Sequence, residues 1–110
     1  MVSILLFSIA LFIIGVSQQE RELHEVRCFY RSKEWRRLRQ RVLRAYGYNC
    51  MRCGITHKGM NIDHILPRSL YPKLELEFNN MQVLCQRHNL EKSNTDTTDY
   101  RGTIPQVSDH

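Results

Sequence analysis

Asn61-Ile62-Asp63-His64-Ile65-Leu66-Pro67, read with Asn79-Asn80-Met81-Gln82-Val83-Leu84-Cys85-Gln86-Arg87-His88-Asn89-Leu90-Glu91-Lys92, decides the fold of this 110-residue chain. The largely apolar stretches 62–66 and 81–84 suit two short strands, and residues 86–92 suit a helix. Polar residues of particular types stand at the ends of these runs: an acid beside a histidine, then an asparagine, then Cys-x-x-His leading into Asn and Lys. A packed core asks for none of them in that order. Metal-assisted hydrolysis of a phosphodiester asks for all of them.

Working outward, Cys50-Met51-Arg52-Cys53-Gly54 forms one metal half-site and Cys85-Gln86-Arg87-His88 the other. Two intervening residues let both ligands of a half-site reach one ion, and Cys3His is a common closed tetrahedral zinc shell. Joining the halves closes a loop of about 32 residues, at a cost of roughly 3 kcal/mol. A structural zinc returns about 10 kcal/mol or more, so the metal wins. A lone Cys-x-x-Cys is ambiguous, whereas two half-sites flanking an acid-histidine pair are specific. His57 rivals His88 as the fourth ligand, and spacing from Cys85 favours His88.

The chain has room for one domain. Removing an apolar N-terminus and a polar tail leaves about 70 residues, a size at which a hydrophobic core alone is marginal and a metal staple is of use. The formal charge is +5, and ten of the sixteen Lys and Arg residues fall between Arg21 and Arg52. Such density favours a polyanionic partner. Ser32 is a suitable N-cap for a helix in which Trp35, Leu38, Val42 and Tyr46 recur at helical spacing and Gly47 ends the run. The opposite face carries Arg36, Arg37, Arg39, Arg41 and Arg44 against one acid, Glu34. One-sided charge repels itself unless phosphates relieve it, so this face is expected to hold the backbone of a nucleic acid.

The remaining segments carry less. Residues 2–16 are apolar apart from Ser3, Ser8 and Gly15. As a helix they span roughly 23 to 27 Å, slightly short of the ~30 Å hydrocarbon core. Residues 1–19 are therefore expected to form a hydrophobic N-terminal helix that anchors the chain in a membrane through residues 2–17, with the Arg-rich flank keeping the folded part cytoplasmic. The competing reading is secretion after cleavage of a signal peptide at Gly15-Val16-Ser17, against which stands the absent positive n-region. Residues 20–31 read as a linker or short helix, in which Cys28 is an idle thiol. Residues 93–110 read as a polar, frayed tail.

From Phe29 to Lys92 the chain resembles the HNH family of nucleases in its zinc-knuckle form. The resemblance rests on Phe29-Tyr30-x-Ser32-x-x-Trp35, Cys50-x-x-Cys53-Gly54, Asp63-His64-Ile65-x-Pro67, Asn80-Met81-Gln82-x-Leu84-Cys85 and Asn89-x-x-Lys92. It implies an α+β fold: a small ββα-metal (His-Me finger) domain over residues 32–92 with structural zinc on Cys50, Cys53, Cys85 and His88, preceded by a basic helix. It further implies a metal-dependent endonuclease that nicks DNA, leaving 5′-phosphate and 3′-hydroxyl ends, of a kind frequent in phages and mobile elements.

His64 is the expected general base, since an imidazole is largely neutral at cytoplasmic pH. Asp63 and Asn89 form an oxygen-only pair suited to catalytic Mg²⁺ or Mn²⁺. Asn80, with Asn79 as its rival, is expected to orient the His64 loop, and Lys92 to touch a phosphate. The chain departs from the family's pattern twice, at His88 where relatives often carry cysteine and at Asn89 where the family's name has histidine. The latter makes an HNN variant, a form the family includes among its active enzymes. Two other readings share these residues: a catalytically inert zinc-stabilised nucleic-acid-binding module, and an exported nuclease toxin.

Overall fold

The structure, a computed structural model, describes residues 2–103, of which residues 2–16 through the backbone alone. The elements run α1 (Val2–Arg31), α2 (Lys33–Tyr46), β1 (Asn61–His64), short 3-10 turns at Pro72–Leu74 and Phe78–Asn80, β2 (Met81–Leu84) and α3 (Gln86–Glu91). The chain divides into two compact units, residues 1–35 and 36–110.

In the first unit α1 takes in residues 20–31, where a linker or short helix is expected from the sequence. Among the described residues no helix is long and apolar enough to cross a membrane. The anchor expected at residues 2–17 falls, except for Ser17, on residues whose side chains lie outside the description. From Gln18 the helix carries Gln19, Glu20, Arg21 and Glu22 on exposed positions, and charges of this density do not extend an apolar span. Ser32 separates α1 from α2: its hydroxyl donates to Phe29 O at 2.6 Å and accepts the Trp35 N–H at 3.2 Å, the bond of an N-cap. Trp35 lies 5.3 Å from the rings of both Phe29 and Tyr30.

In the second unit α2 buries Leu38, Val42 and Leu43. Tyr46, expected on that apolar face, is instead exposed and stacks on Phe78 with ring centroids 5.6 Å apart, because the buried stripe drifts to Leu43 one turn earlier. Gly47 ends the helix at φ +78°, its N–H donating to Leu43 O at 2.7 Å. A side chain in that left-handed conformation is strained and would press on Asn49.

The strands form an antiparallel pair in which Asn61 faces Leu84, Ile62 Val83, Asp63 Gln82 and His64 Met81. Alternation puts Ile62, His64, Met81 and Val83 on one face and Asn61, Asp63, Gln82 and Leu84 on the other. All of β2 is buried, so both its faces are covered. Helix α3 packs on both strands. Residues 93–103, expected to fray, are bonded to the body: Gln82 Nε2 donates to Thr98 O at 3.1 Å, Tyr100 N–H to Gln82 Oε1 at 2.8 Å, Arg101 Nη1 to Asn79 O, and Thr103 Oγ1 to Met51 O at 3.2 Å. The backbone of a polar segment needs partners, and here the buried Gln82 amide supplies them. The rest of that expected tail, residues 104–110, lies outside the described residues.

Met81 is fully buried in the strand that carries this packing. Met81→Ala is expected to lower stability by about 2–5 kcal/mol, measured by denaturant unfolding of the zinc-loaded protein.

Candidate active site and metal centre

The first half-site is a tight hairpin. Cys50 N–H donates to Ile55 O at 2.9 Å, Gly54 N–H to Cys50 O at 2.8 Å, and Gly54 turns the chain at φ +79°. The second half-site sits where β2 passes into α3, with Cys85 at the helix N-cap. Met51 N–H donates to Val83 O at 2.9 Å and brings the hairpin beside the strand. The ligand atoms of Cys50, Cys53, Cys85 and His88 then all lie within 4.8 Å of one another. Cys50 Sγ is 3.6 Å and Cys85 Sγ 3.3 Å from His88 Nδ1, and Cys53 Sγ is 4.0 Å from Cys85 Sγ. A tetrahedral zinc with ordinary bond lengths puts sulfur and nitrogen ligands about 3.5 Å apart and two sulfurs about 3.8 Å apart. The group therefore fits a zinc ion through His88 Nδ1. His57, the rival ligand, is exposed and closes a local turn instead, its Nδ1 accepting the Gly59 N–H at 2.9 Å.

Burial pushes the Cys50 thiol up, but the backbone N–H groups of Cys85, Cys53 and Arg52 and the His88 side chain outweigh it and hold the thiol at about 6. Burial pushes the Cys53 thiol up to about 11, reinforced by its neighbour Cys50. One thiolate thus forms readily while the next resists joining it, and a dication removes that conflict.

Asp63 and His64, adjacent in β1, point to opposite faces of the sheet. Asp63 Oδ2 accepts from Gln82 Nε2 at 2.9 Å and pairs with Lys92 Nζ at 3.2 Å. Lys92 also donates to His64 O at 2.9 Å and Ile65 O at 3.2 Å, and its side chain is 4 % exposed. Its three donors are spent inside the protein, so it does not offer the phosphate contact expected of it; it ties the end of α3 to the end of β1. Asn89 is half-buried on α3, three residues before Lys92 and on the same helical stripe.

On the other face His64 is 6 % exposed, and its Nε2 lies 2.9 Å from Glu75 O. Arg68 Nε pairs with Glu75 Oε2 at 2.8 Å and so fixes the residue whose carbonyl meets His64. Burial, the largest influence, lowers the His64 pKa below its ordinary value against the raising effect of Glu75 O and Asp63. Asn80 is buried and clamps the loop after His64: Oδ1 accepts Leu66 N–H at 2.9 Å, and Nδ2 donates to Leu66 O at 3.1 Å and Leu74 O at 3.2 Å. Asn79 is exposed and offers Arg101 its carbonyl.

Asp63 and His64 thus stand on opposite faces at the end of β1, Asn80 braces the loop after His64, and Asn89 lies on α3. Sequence reading gave no role to Gln82, Glu75 or Arg68. A glutamine inside the otherwise apolar run Met81-Gln82-Val83-Leu84 was the available signal; nothing marked Glu75, which acts through its backbone.

The arginines of α2 divide. Arg36, Arg37, Arg41 and Arg44 are exposed. Arg39 is half-buried and donates to Met60 O at 3.2 Å, and the Arg41 guanidinium lies 4.7 Å over the Phe78 ring. A cavity of about 590 Å³ borders Cys53, Cys85 and His88, and its lining does not include Asp63, His64 or Asn89. It belongs to the surroundings of the metal group.

Residues 50–95 match a family model described as HNH endonuclease. The matched segment holds the whole Cys3His group, both strands and α3. No curated protein and no solved structure matches the chain.

The protein is expected to bind one zinc per chain, measured by elemental analysis, and Cys50→Ser or Cys85→Ser to lose it. Zinc affinity should fall as the pH is lowered, because protons compete for the sulfur and imidazole ligands. Removal by chelation should abolish the cooperative unfolding transition; a stripped protein that melts unchanged would contradict a structural role.

Proposed function

Taking as premise the match of residues 50–95 to the HNH endonucleases, we propose that the protein hydrolyses DNA phosphodiester bonds with a divalent cation, nicking one strand at a time. The observation that carries this reading is the bond from His64 to Glu75 O. A carbonyl oxygen only accepts, so Nε2 carries the proton and Nδ1 the lone pair, the form a general base requires. The lowered pKa keeps that imidazole neutral near pH 7.

Nδ1 of His64 takes a proton from water, and the resulting hydroxide attacks phosphorus in line as the bond to the 3′ oxygen breaks. The oxygen-only donors Asp63 and Asn89 suit Mg²⁺ or Mn²⁺, which when bound would neutralise charge on the phosphate and the leaving oxygen. Asn80 and the Arg68–Glu75 pair hold the loop against which the imidazole rests. Arg36, Arg37 and Arg44 are open to the DNA backbone, giving affinity without sequence choice. One base and one cation site act on one strand per encounter. Thiolate ligands persist best in a reducing compartment, which favours the cytoplasm.

Supercoiled plasmid with Mg²⁺ or Mn²⁺ should be converted to open circles, and a chelator should stop it. His64→Ala should lower kcat/KM by about 10²–10⁴-fold with zinc retained. Undiminished nicking by that variant rejects the base, and plasmid binding without nicking by the wild type identifies an inert binding module.

The acid limb of the rate profile should lie below the ordinary histidine value, with the rate flat above it. The unfolded chain protonates His64 more readily than the folded one, so stability is fully present above about pH 6.5 and declines as pH falls below it. Arg36→Ala, Arg37→Ala and Arg44→Ala should each weaken DNA binding uniformly across sequences and reduce the salt slope by about one.

A further inference from the structure

Gln82 has no exposed surface, and three hydrogen bonds occupy its amide. Nε2 donates to Asp63 Oδ2 at 2.9 Å and to Thr98 O at 3.1 Å, and Oε1 accepts the Tyr100 N–H at 2.8 Å. An amide can be turned end for end with little change of shape, so its orientation is set by what faces each end. The Tyr100 N–H can meet only an acceptor and the Thr98 carbonyl only a donor. Together they force Oε1 toward Tyr100 and Nε2 toward Asp63. Reversed, the amide would aim its oxygen at the Asp63 carboxylate and leave buried groups unpaired.

Asp63 Oδ2, held by Gln82 on one side and by Lys92 on the other, is fully engaged within the protein. The carboxylate therefore has one orientation, in which Oδ1 is the oxygen that these two partners leave over. Residues 98–100 are themselves anchored: Asp99 pairs with Arg101 at 2.9 Å, Arg101 reaches Asn79 O, and Thr103 reaches Met51 O. Residues 98–103 lie beyond the segment that matches the family model.

We infer that Gln82 is a positioning residue for the divalent-cation site, and that residues 98–100, by fixing which end of its amide faces Asp63, are a working part of that site. This rests on the reading of Asp63 as a cation ligand.

The test uses the full chain, zinc-loaded, with Mn²⁺ as the probe followed by electron paramagnetic resonance. Gln82→Met keeps length and volume but removes the amide. Tyr100→Pro deletes the N–H that Gln82 accepts, while Tyr100→Ala keeps that N–H and loses only the ring, which lies over Arg52. Gln82→Met and Tyr100→Pro should each weaken Mn²⁺ binding by about 10-fold or more, as loss of an outer partner of a metal ligand typically does. Tyr100→Ala should stay within about twofold of the wild type on the same reasoning.

Hydrogen exchange supplies a readout without metal: the Tyr100 amide should be protected in the wild type and lose protection in Gln82→Met. Zinc content reports folding, and should Gln82→Met lose zinc, Tyr100→Pro decides. A wild type that binds Mn²⁺ and nicks DNA beside variants of equal Mn²⁺ affinity overturns this inference and spares the nuclease reading. Mn²⁺ binding that depends on Gln82 and Tyr100 in a protein that cuts nothing does the reverse. A wild type that takes up no Mn²⁺ overturns both.

Discussion

Three sulfurs and an imidazole crowded within 4.8 Å are the constraint on which the rest of the second unit depends. Desolvation and mutual repulsion oppose ionising more than one of the thiols, as the opposite displacements of Cys50 and Cys53 make plain. A zinc ion held by this group would reverse that balance, a contribution of about 10–16 kcal/mol in small metal-stabilised folds. The core around it is small: two four-residue strands, part of α2 and a six-residue helix. Such strands do not hold a register by their own ladder. The metal group fixes the hairpin at Cys50 beside the exit of β2, and β1 is then held in register against β2.

That register explains how two residues adjacent in sequence can live in different surroundings. Asp63 faces Gln82, Lys92 and the returning segment, where polar partners keep a carboxylate in place. His64 faces the apolar side, where burial keeps an imidazole neutral and one backbone carbonyl sets its tautomer. A strand's alternation gives Asp63 and His64 separate environments while their backbones remain one residue apart.

The buried polar groups are also why this fold is unusually dependent on completeness. Gln82, Asn80 and Lys92 together make eight hydrogen bonds from their side chains, and no buried side-chain polar atom among the described residues is left without a partner. A network of this kind is stable when every member is present and costly when one is missing. The basic residues of α2 sit outside it: Arg36, Arg37 and Arg44 remain in solvent, where their mutual repulsion is an argument for a polyanion.

Much of this was written in local pattern. Cys-x-x-Cys and Cys-x-x-His spacing identified the metal group, Ser32 and Gly47 bounded α2, and short apolar stretches marked the strands, because ligand reach, capping and local hydrophobicity are properties of neighbouring residues. Three features were decided by tertiary structure. Lys92 looks like a surface cation until the end of α3 is laid against β1, when desolvation makes Asp63 and two carbonyls its partners. Glu75 acts through a carbonyl that every residue possesses, so no side-chain pattern could mark it. Residues 98–100 are polar and read as a tail, yet the buried Gln82, 16 to 18 residues earlier, needs their backbone. Sequence specifies what a residue can bond to; only the folded chain, by excluding water, decides which of those bonds it must make.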